Sequence, residues 1–351
     1  MQQMSSATWW SRIPDGALNV DNFIIATILL ALFFDFINGF HDSANAIATV
    51  VATKVLSPLK AVTMAAIFNL VGPLVFGIAI ATMIGKGIID IEIVTVDLIF
   101  AALAGAVLWD LITWYLGLPT SSSHALVGGL VGAAIAAAGI GSVHASGVEK
   151  IVLFMVVSPV VGLITGFIFA LLIMRAFRKS HPSKINKYFR RLQLLSSAFY
   201  SLTHGTNDAQ KTMGIIALLL IAEGISSPMN PGQFPIPLWV IISCAAAIGL
   251  GTFFGGWRIV KTMAQKVTRL RPYQGFCAET SSGLVLAAMA ALGIPVSTTH
   301  VISSSILGVG ATDKLSAVRW GIARRIVTAW LLTIPVSAVI AAVVFLIIKI
   351  V

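Results

Sequence analysis

Of 351 residues, 58% are hydrophobic and only 10% charged, far below the ~25% charge of a soluble domain. Apolar runs such as 151–174 and 326–348 reach the ~20 residues a helix needs to cross a bilayer, which excludes a soluble globular class. The net charge of +10 is confined to a few loops and so gives no reason to invoke nucleic acid, and two cysteines in apolar surroundings make neither a disulfide scaffold nor a metal site.

In chain order, residues 1–21 read as a short external leader, with Trp9 and Trp10 placed as interface anchors. The apolar run 23–37 resembles a signal peptide, but no small-residue cleavage site follows, so it is read as a mature span. The first helix is expected to start near Asn22, to break around Asn38-Gly39 and to emerge at Lys54 and Lys60. A second span over 61–84 reaches the acidic stretch 90–97. Two runs, 98–116 and 125–140, follow as full spans or as a re-entrant hairpin, and 151–174 crosses inward to a basic loop at 175–191.

The second half repeats this order. A span over 192–222 is expected to be interrupted at 204–212 and to exit to a Pro-rich loop at 228–237. A span over 238–256, a basic loop at 257–271, the paired runs 273–292 and 301–310, and a last span at 326–348 complete the chain. Of the 23 Lys and Arg, 18 fall in four clusters (54–60, 175–191, 258–271 and 314–325), which marks those segments as cytoplasmic and puts both termini outside. Each half then makes an odd number of crossings and the two start on opposite sides. The expected fold is an all-α polytopic membrane protein of two inverted-topology repeats, 22–174 and 192–351, with broken helices and re-entrant hairpins.

Two motifs occur twice in the same order. Gly39-Phe40-His41-Asp42-Ser43-Ala44-Asn45-Ala46 matches Gly205-Thr206-Asn207-Asp208-Ala209-Gln210-Lys211-Thr212 at an offset of 166. Gly117-Leu118-Pro119-Thr120-Ser121-Ser122-Ser123-His124 matches Gly293-Ile294-Pro295-Val296-Ser297-Thr298-Thr299-His300 at an offset of 176. Ionisable residues at membrane depth are functional by default, and paired interruptions in two halves point to a transporter's substrate site.

Each hydroxyl cluster follows a Gly-x-Pro turn and opens a new helix, so its amides are free N-terminal donors. Hydroxyls with such amides make an oxyanion site. Ser121, Ser122, Ser123, Ser297, Thr298 and Thr299 are therefore candidate anion ligands, at hairpin tips shaped by Pro119, His124, Pro295 and His300. The plainer alternative is that these hydroxyls only satisfy backbone groups at a kink. Asp42 and Asp208 would repel an oxyanion unless a proton or cation lay between them, which argues for cation coupling; capping a half-helix is a compatible second role. His41, beside Asp42, is the candidate proton relay. Lys211 is expected to neutralise Asp208, to face the anion or to snorkel to an interface. Glu279 has no counterpart in the first hairpin and is a candidate coupling acid, whereas Asp110 is read as facing an interhelical cavity.

These motifs resemble those of the inorganic phosphate transporter family, the Pit-type permeases, whose signatures are a duplicated G-x-N/H-D-x-A-N-A stretch and a duplicated P-x-S-x-T/S-H tip. The resemblance extends to Phe276-Cys277-Ala278-Glu279 and to residues 320–335. It implies a carrier that takes up phosphate with a coupling cation, needs no other cofactor, and sits in a bilayer of bacterial inner-membrane type as a homodimer. Carried over by position, it implies phosphate and cation ligands at Asp42, Asn45, Asn207 and Asp208 and at the tip hydroxyls, with Glu279 near the coupling path. Sodium-coupled members have Asn where this chain has His41. The resemblance is thus to the bacterial low-affinity type, with protons favoured over sodium and phosphate carried free or as a metal–phosphate complex. Lys211 replaces the counterpart of Asn45, which departs from a second cation site.

Other readings are a carrier of another oxyanion such as sulfate, a passive channel or sensor, and an intramembrane hydrolase. The hydrolase fares worst, because a nucleophile needs one oriented base and one oxyanion hole rather than two symmetric hydroxyl clusters. The chain is read as a transporter and not as an enzyme.

Overall fold

A computed structural model describes residues 22–75, 77–226 and 234–351. The expected leader with Trp9 and Trp10 and most of the expected loop 228–237 lie outside the described residues. Within them the chain is helical almost throughout, with an isolated β-bridge between Ile89 and Val143 and no strand.

The first half contains α1 (Asn22–Ala52), α2 (Pro58–Val75), α3 (Ala79–Gly87), α4 (Val96–Leu116), α5 (Ser122–Ala138) and α6 (Ala145–Ala176). The second contains α7 (Pro182–Ala222), α8 (Leu238–Phe254), α9 (Trp257–Lys261) running into a π-helical turn (Thr262–Val267), α10 (Pro272–Ala291), α11 (Thr298–Ala311) and α12 (Trp320–Ile350). Five of these helices are long and apolar enough to cross a membrane, and six if α8 and the bent segment after it form one span. Large apolar side chains such as Val156, Val160, Ile164, Leu331, Val339 and Val343 face outward on α6 and α12, while the interior holds carboxylates, hydroxyls and amides among its apolar clusters. This reversal of the soluble pattern is what a lipid surround requires.

Local chemistry sets the ends. Thr95 Oγ1 accepts from Leu98 N at 3.3 Å to start α4, and Gly117 ends it in the left-handed conformation (φ 66°). Gly293 adopts the same conformation (φ 64°) before the second tip. Pro272 at the first position of α10, with Arg271 N donating to Gln274 Oε1 at 2.9 Å, sets that helix. Pro182 does the same for α7, which therefore begins within the basic stretch expected as loop.

The halves exchange packing partners. α5 packs on α12 as α11 packs on α6; α1 packs on α8 as α7 packs on α2; α4 and α5 form a hairpin, as do α10 and α11. The closest approaches repeat as well. A Cβ on Gly72 would lie 2.2 Å from Leu202 O, and one on Gly251 would lie 2.0 Å from Phe36 O.

One expectation is corrected. α1 runs unbroken through Asn38-Gly39, and α7 runs unbroken through 204–212. Neither motif contains proline, and the glycines serve contact: a Cβ on Gly39 would lie 2.3 Å from Ile248 O, and one on Gly205 would lie 2.4 Å from Asn69 O. The broken spans lie elsewhere. α8 and the segment after it bend by 55° across Gly255-Gly256, and α2 ends at Val75 before α3 resumes at Ala79.

Candidate functional site

The two hairpin tips meet at the centre of the bundle. His124 and His300, the last residues of the tip motifs, bring their rings to 4.8 Å, and the His300 ring stacks on Trp330 at 3.9 Å. Trp330 Nε1 donates to Pro119 O at 2.8 Å and so clamps the first tip to α12. Ser121 and Ser297 act as helix caps, accepting from His124 N (3.3 Å) and His300 N (3.2 Å). The N-termini of α5 and α11 thus converge, each bringing free amides and a partial positive charge.

α1 and α7 cross beside these tips and deliver the acids. Asp42 Oδ1 lies 2.9 Å from His41 Nδ1, and Asp42 Oδ2 accepts from Thr299 Oγ1 at 3.1 Å. Thr298 Oγ1 lies 3.1 Å from Asp208 Oδ2 and 3.4 Å from Asp42 Oδ2. One hydroxyl proton serves one acceptor at a time, so Thr298 is shared by the acids of both halves. Asn45 Nδ2 donates to Thr299 Oγ1 at 2.8 Å, which leaves that hydroxyl free to donate to Asp42.

Lys211 is 1% exposed and does not snorkel. Its Nζ donates to Asp208 Oδ1 at 2.5 Å, to Val296 O at 3.1 Å and to Ser123 Oγ, so it neutralises Asp208 and touches both tips. Ser122 Oγ donates to Asn38 Oδ1 at 2.6 Å, so this tip hydroxyl is turned to α1. Asn207 Nδ2 donates to Thr203 O (2.8 Å) and Leu286 O (3.3 Å), fastening α7 to α10, while its Oδ1 has no partner.

Glu279 forms a separate centre. Its carboxylate accepts from Thr49 Oγ1 (2.5 Å), Gln193 Nε2 (3.0 Å) and Ser196 Oγ (2.5 Å), three donors suited to an ionised group. Thr49 follows Asp42 by seven residues, two helical turns on the same face of α1. Asp35 precedes Asp42 by the same interval, so this face carries Asp35, Asp42 and Thr49 over about 21 Å.

Several polar partners carry no role in the sequence reading. His204 lies four residues before Asp208, with Nε2 3.2 Å from Asp208 Oδ2 and 4.0 Å from Asp42 Oδ2. Its Nδ1 faces Asn69 Oδ1 at 3.2 Å, while Asn69 Nδ2 donates to Thr252, so Nδ1 is the donor and Nε2 is turned to the acids. Asp42, His204 and Asp208 each offer one potential ligand atom within 4.8 Å of the others, with Lys211 against the other oxygen of Asp208. His41 Nε2 lies 3.1 Å from Thr113 Oγ1, which accepts from Thr120 Oγ1 at 2.8 Å. The i,i+4 spacing of His204 and the i,i−7 spacing of Asp35 are the signals that would have pointed to them.

Comparison with known proteins agrees with this architecture. The model of the phosphate transporter family matches residues 38–185 and again 175–341. A probable low-affinity inorganic phosphate transporter of Rhizobium meliloti (strain 1021) is 51% identical over 319 residues, covering 91% of this chain and 94% of the relative. One of the same description from Bacillus subtilis (strain 168) is 46% identical over 336 residues, 94% of this chain and 99% of the relative. Among solved structures, one titled the sodium-dependent phosphate transporter superposes with a TM-score of 0.83 at 27% identity, covering 94% of this chain and all of the other.

Proposed function

The chain belongs to the phosphate transporter family, is a multi-pass membrane protein, and on that premise we propose that it carries inorganic phosphate across the membrane together with a cation. The observation that carries this reading is the meeting of Asp42 and Asp208 at Thr298, between two helix N-termini. A tetrahedral oxyanion suits two converging sets of amides and hydroxyls, while the two acids demand a positive partner before it enters. Sulfate, the other oxyanion considered, finds no support in the family or in these relatives.

Phosphate binds, in this reading, near Ser121, Ser122, Ser123, Ser297, Thr298 and Thr299, with Asp42, Asn45, Asn207 and Asp208 around it. His41, Asp42, Asp208 and Glu279 carry the coupling. Protons are favoured over sodium: Lys211 stands where the first half has Asn45, so a fixed ammonium occupies the place of a second metal cation. The solved relative is named for sodium, and sodium remains the alternative coupling ion. The Asp42, His204 and Asp208 group offers a place for a divalent metal accompanying phosphate.

The exchanged packing of the halves supports two inverted repeats enclosing a midplane site whose access is switched alternately. The unit that moves is then a repeat-derived one working against a scaffold, the hairpins α4–α5 and α10–α11 are re-entrant, both termini face outward, and the carrier works as a homodimer in a bacterial-type inner membrane.

The test is uptake of radiolabelled phosphate into proteoliposomes, with proton and sodium gradients imposed separately and sulfate as competitor. Accumulation driven by the proton gradient and insensitive to sulfate is expected. Accumulation that follows sodium alone would replace the proton, and competition by equimolar sulfate would overturn the substrate.

A further inference from the structure

Among the described residues five acids are buried in the interior: Asp35, Asp42, Asp110, Asp208 and Glu279. Three touch donors or a counter-charge: Asp42 touches His41 and Thr299, Asp208 touches Lys211 and Thr298, and Glu279 touches Thr49, Gln193 and Ser196. Asp110 accepts no hydrogen bond, but it faces His41, a group able to carry the opposite charge. Asp35 is different. It is 0% exposed, and neither carboxyl oxygen has a hydrogen-bond partner.

The groups around Asp35 explain what form it takes. Its polar neighbours are Asn38 on its own helix, Thr212 on α7 and Cys244 on α8, neutral groups near enough for weak hydrogen bonding and none of them a counter-charge. The charged group facing it is Asp208, a second carboxylate whose own counter-charge is Lys211. An ionised Asp35 would therefore be desolvated, without a cationic partner and repelled at once. A proton removes all three penalties. It also turns one oxygen into a donor beside Thr212 Oγ1, itself buried without a partner.

We propose that Asp35 is a proton-binding site of this carrier, occupied as the neutral acid in this conformation. It lies two helical turns, about 10 Å, from Asp42 toward the N-terminal end of α1. The site exists in one half only, because the offset of 166 places Ser201 opposite Asp35. Asp35 thereby joins His41, Asp42, Asp208 and Glu279 in the coupling, and the fixed cation of the second half, Lys211, gains a movable counterpart in the first, bound to and released from the Asp35 carboxylate. This inference rests on the proton-coupled reading of function and assigns it a residue.

The test combines infrared difference spectroscopy with proton-gradient-driven phosphate uptake into proteoliposomes. In the wild type a protonated carboxylic acid carbonyl stretch is expected, absent in Asp35→Asn and shifted in Asp35→Glu. The stimulation of uptake by an imposed proton gradient should be lost in Asp35→Asn and regained in part in Asp35→Glu. A band unchanged in both variants, or Asp35→Asn uptake that follows the gradient as the wild type does, would overturn the assignment. Should Asp35→Asn not fold, the Asp35→Glu shift decides alone. Wild-type uptake indifferent to the proton gradient would sink the proton-coupled reading by itself, while the band would still report on Asp35.

Discussion

Asn45 and Lys211 occupy matching positions of the duplicated motif, and each reaches across to the other half's hairpin: Asn45 Nδ2 donates to Thr299 Oγ1 at 2.8 Å, and Lys211 Nζ donates to Ser123 Oγ. Thr299 and Ser123 are themselves related by the offset of 176. One contact is thus made twice, once with a neutral amide and once with a cation. The site has a symmetric frame and an asymmetric charge.

Removing that cation leaves Asp208 buried beside a second acid. Lys211→Met should lower stability by roughly 3–5 kcal/mol, the usual consequence of orphaning one partner of a buried pair. Lys211→Met with Asp208→Asn should recover much of that loss. Thermal unfolding of the detergent-solubilised variants checks both, and a Lys211→Met melting temperature equal to wild type would show that the pair is not formed.

Thr298 is the one hydroxyl within reach of both acids. Thr298→Val keeps the shape and removes the proton it donates to Asp208 or Asp42. A lost hydrogen bond to a charged group costs about 1.5–3 kcal/mol, so uptake at subsaturating phosphate should fall by tenfold or more. Asp42→Asn should abolish uptake with folding intact, and Asp208→Asn should abolish it too, in the Lys211→Met background that spares the fold an orphaned ammonium. Wild-type kinetics in Thr298→Val would remove the shared hydroxyl from the mechanism.

The glycines of α1 and α7 predict a packing defect. Gly39→Ala and Gly205→Ala force a methyl onto Ile248 O and Asn69 O, overpacking that costs typically 1–3 kcal/mol or more. Gly321→Ala, with nothing within 4 Å of its Cβ position, is the matched control and should be neutral. Thermal shift measurements separate the two groups.

These glycines mark where the sequence misleads. Glycine and polar residues inside an apolar run read as a break, and at Gly39 and Gly205 the missing side chain instead lets two helices touch. The tips were legible because Gly-x-Pro followed by hydroxyls and His recurs in order, and the pairing of Asp42 with Asp208 followed from the same repetition. Asp35 has no counterpart in the second half and sits in a run whose apolar character hides one acid. Asn207 matched a motif position but spends its amide on backbone carbonyls of Thr203 and Leu286, a contact set by the tertiary packing of α7 on α10.

Inverted repeats predict the sidedness of loops. Ser57→Cys and Ser180→Cys, both exposed positions, should label from the cytoplasmic side, and Gly141→Cys and Gly224→Cys from the opposite side. Cys244 and Cys277 are buried and should stay silent. Labelling of Ser57→Cys and Gly141→Cys from one side would rule out the inverted arrangement.

The most direct measurement of the shared-site claim is a structure determined with phosphate bound. Phosphate should lie between the two tips, within hydrogen-bonding distance of hydroxyls or amides from both, beside Asp42 and Asp208. Phosphate resting on one tip alone, or in the groove lined by Arg178 and Arg271 with the space between the tips empty, would contradict it.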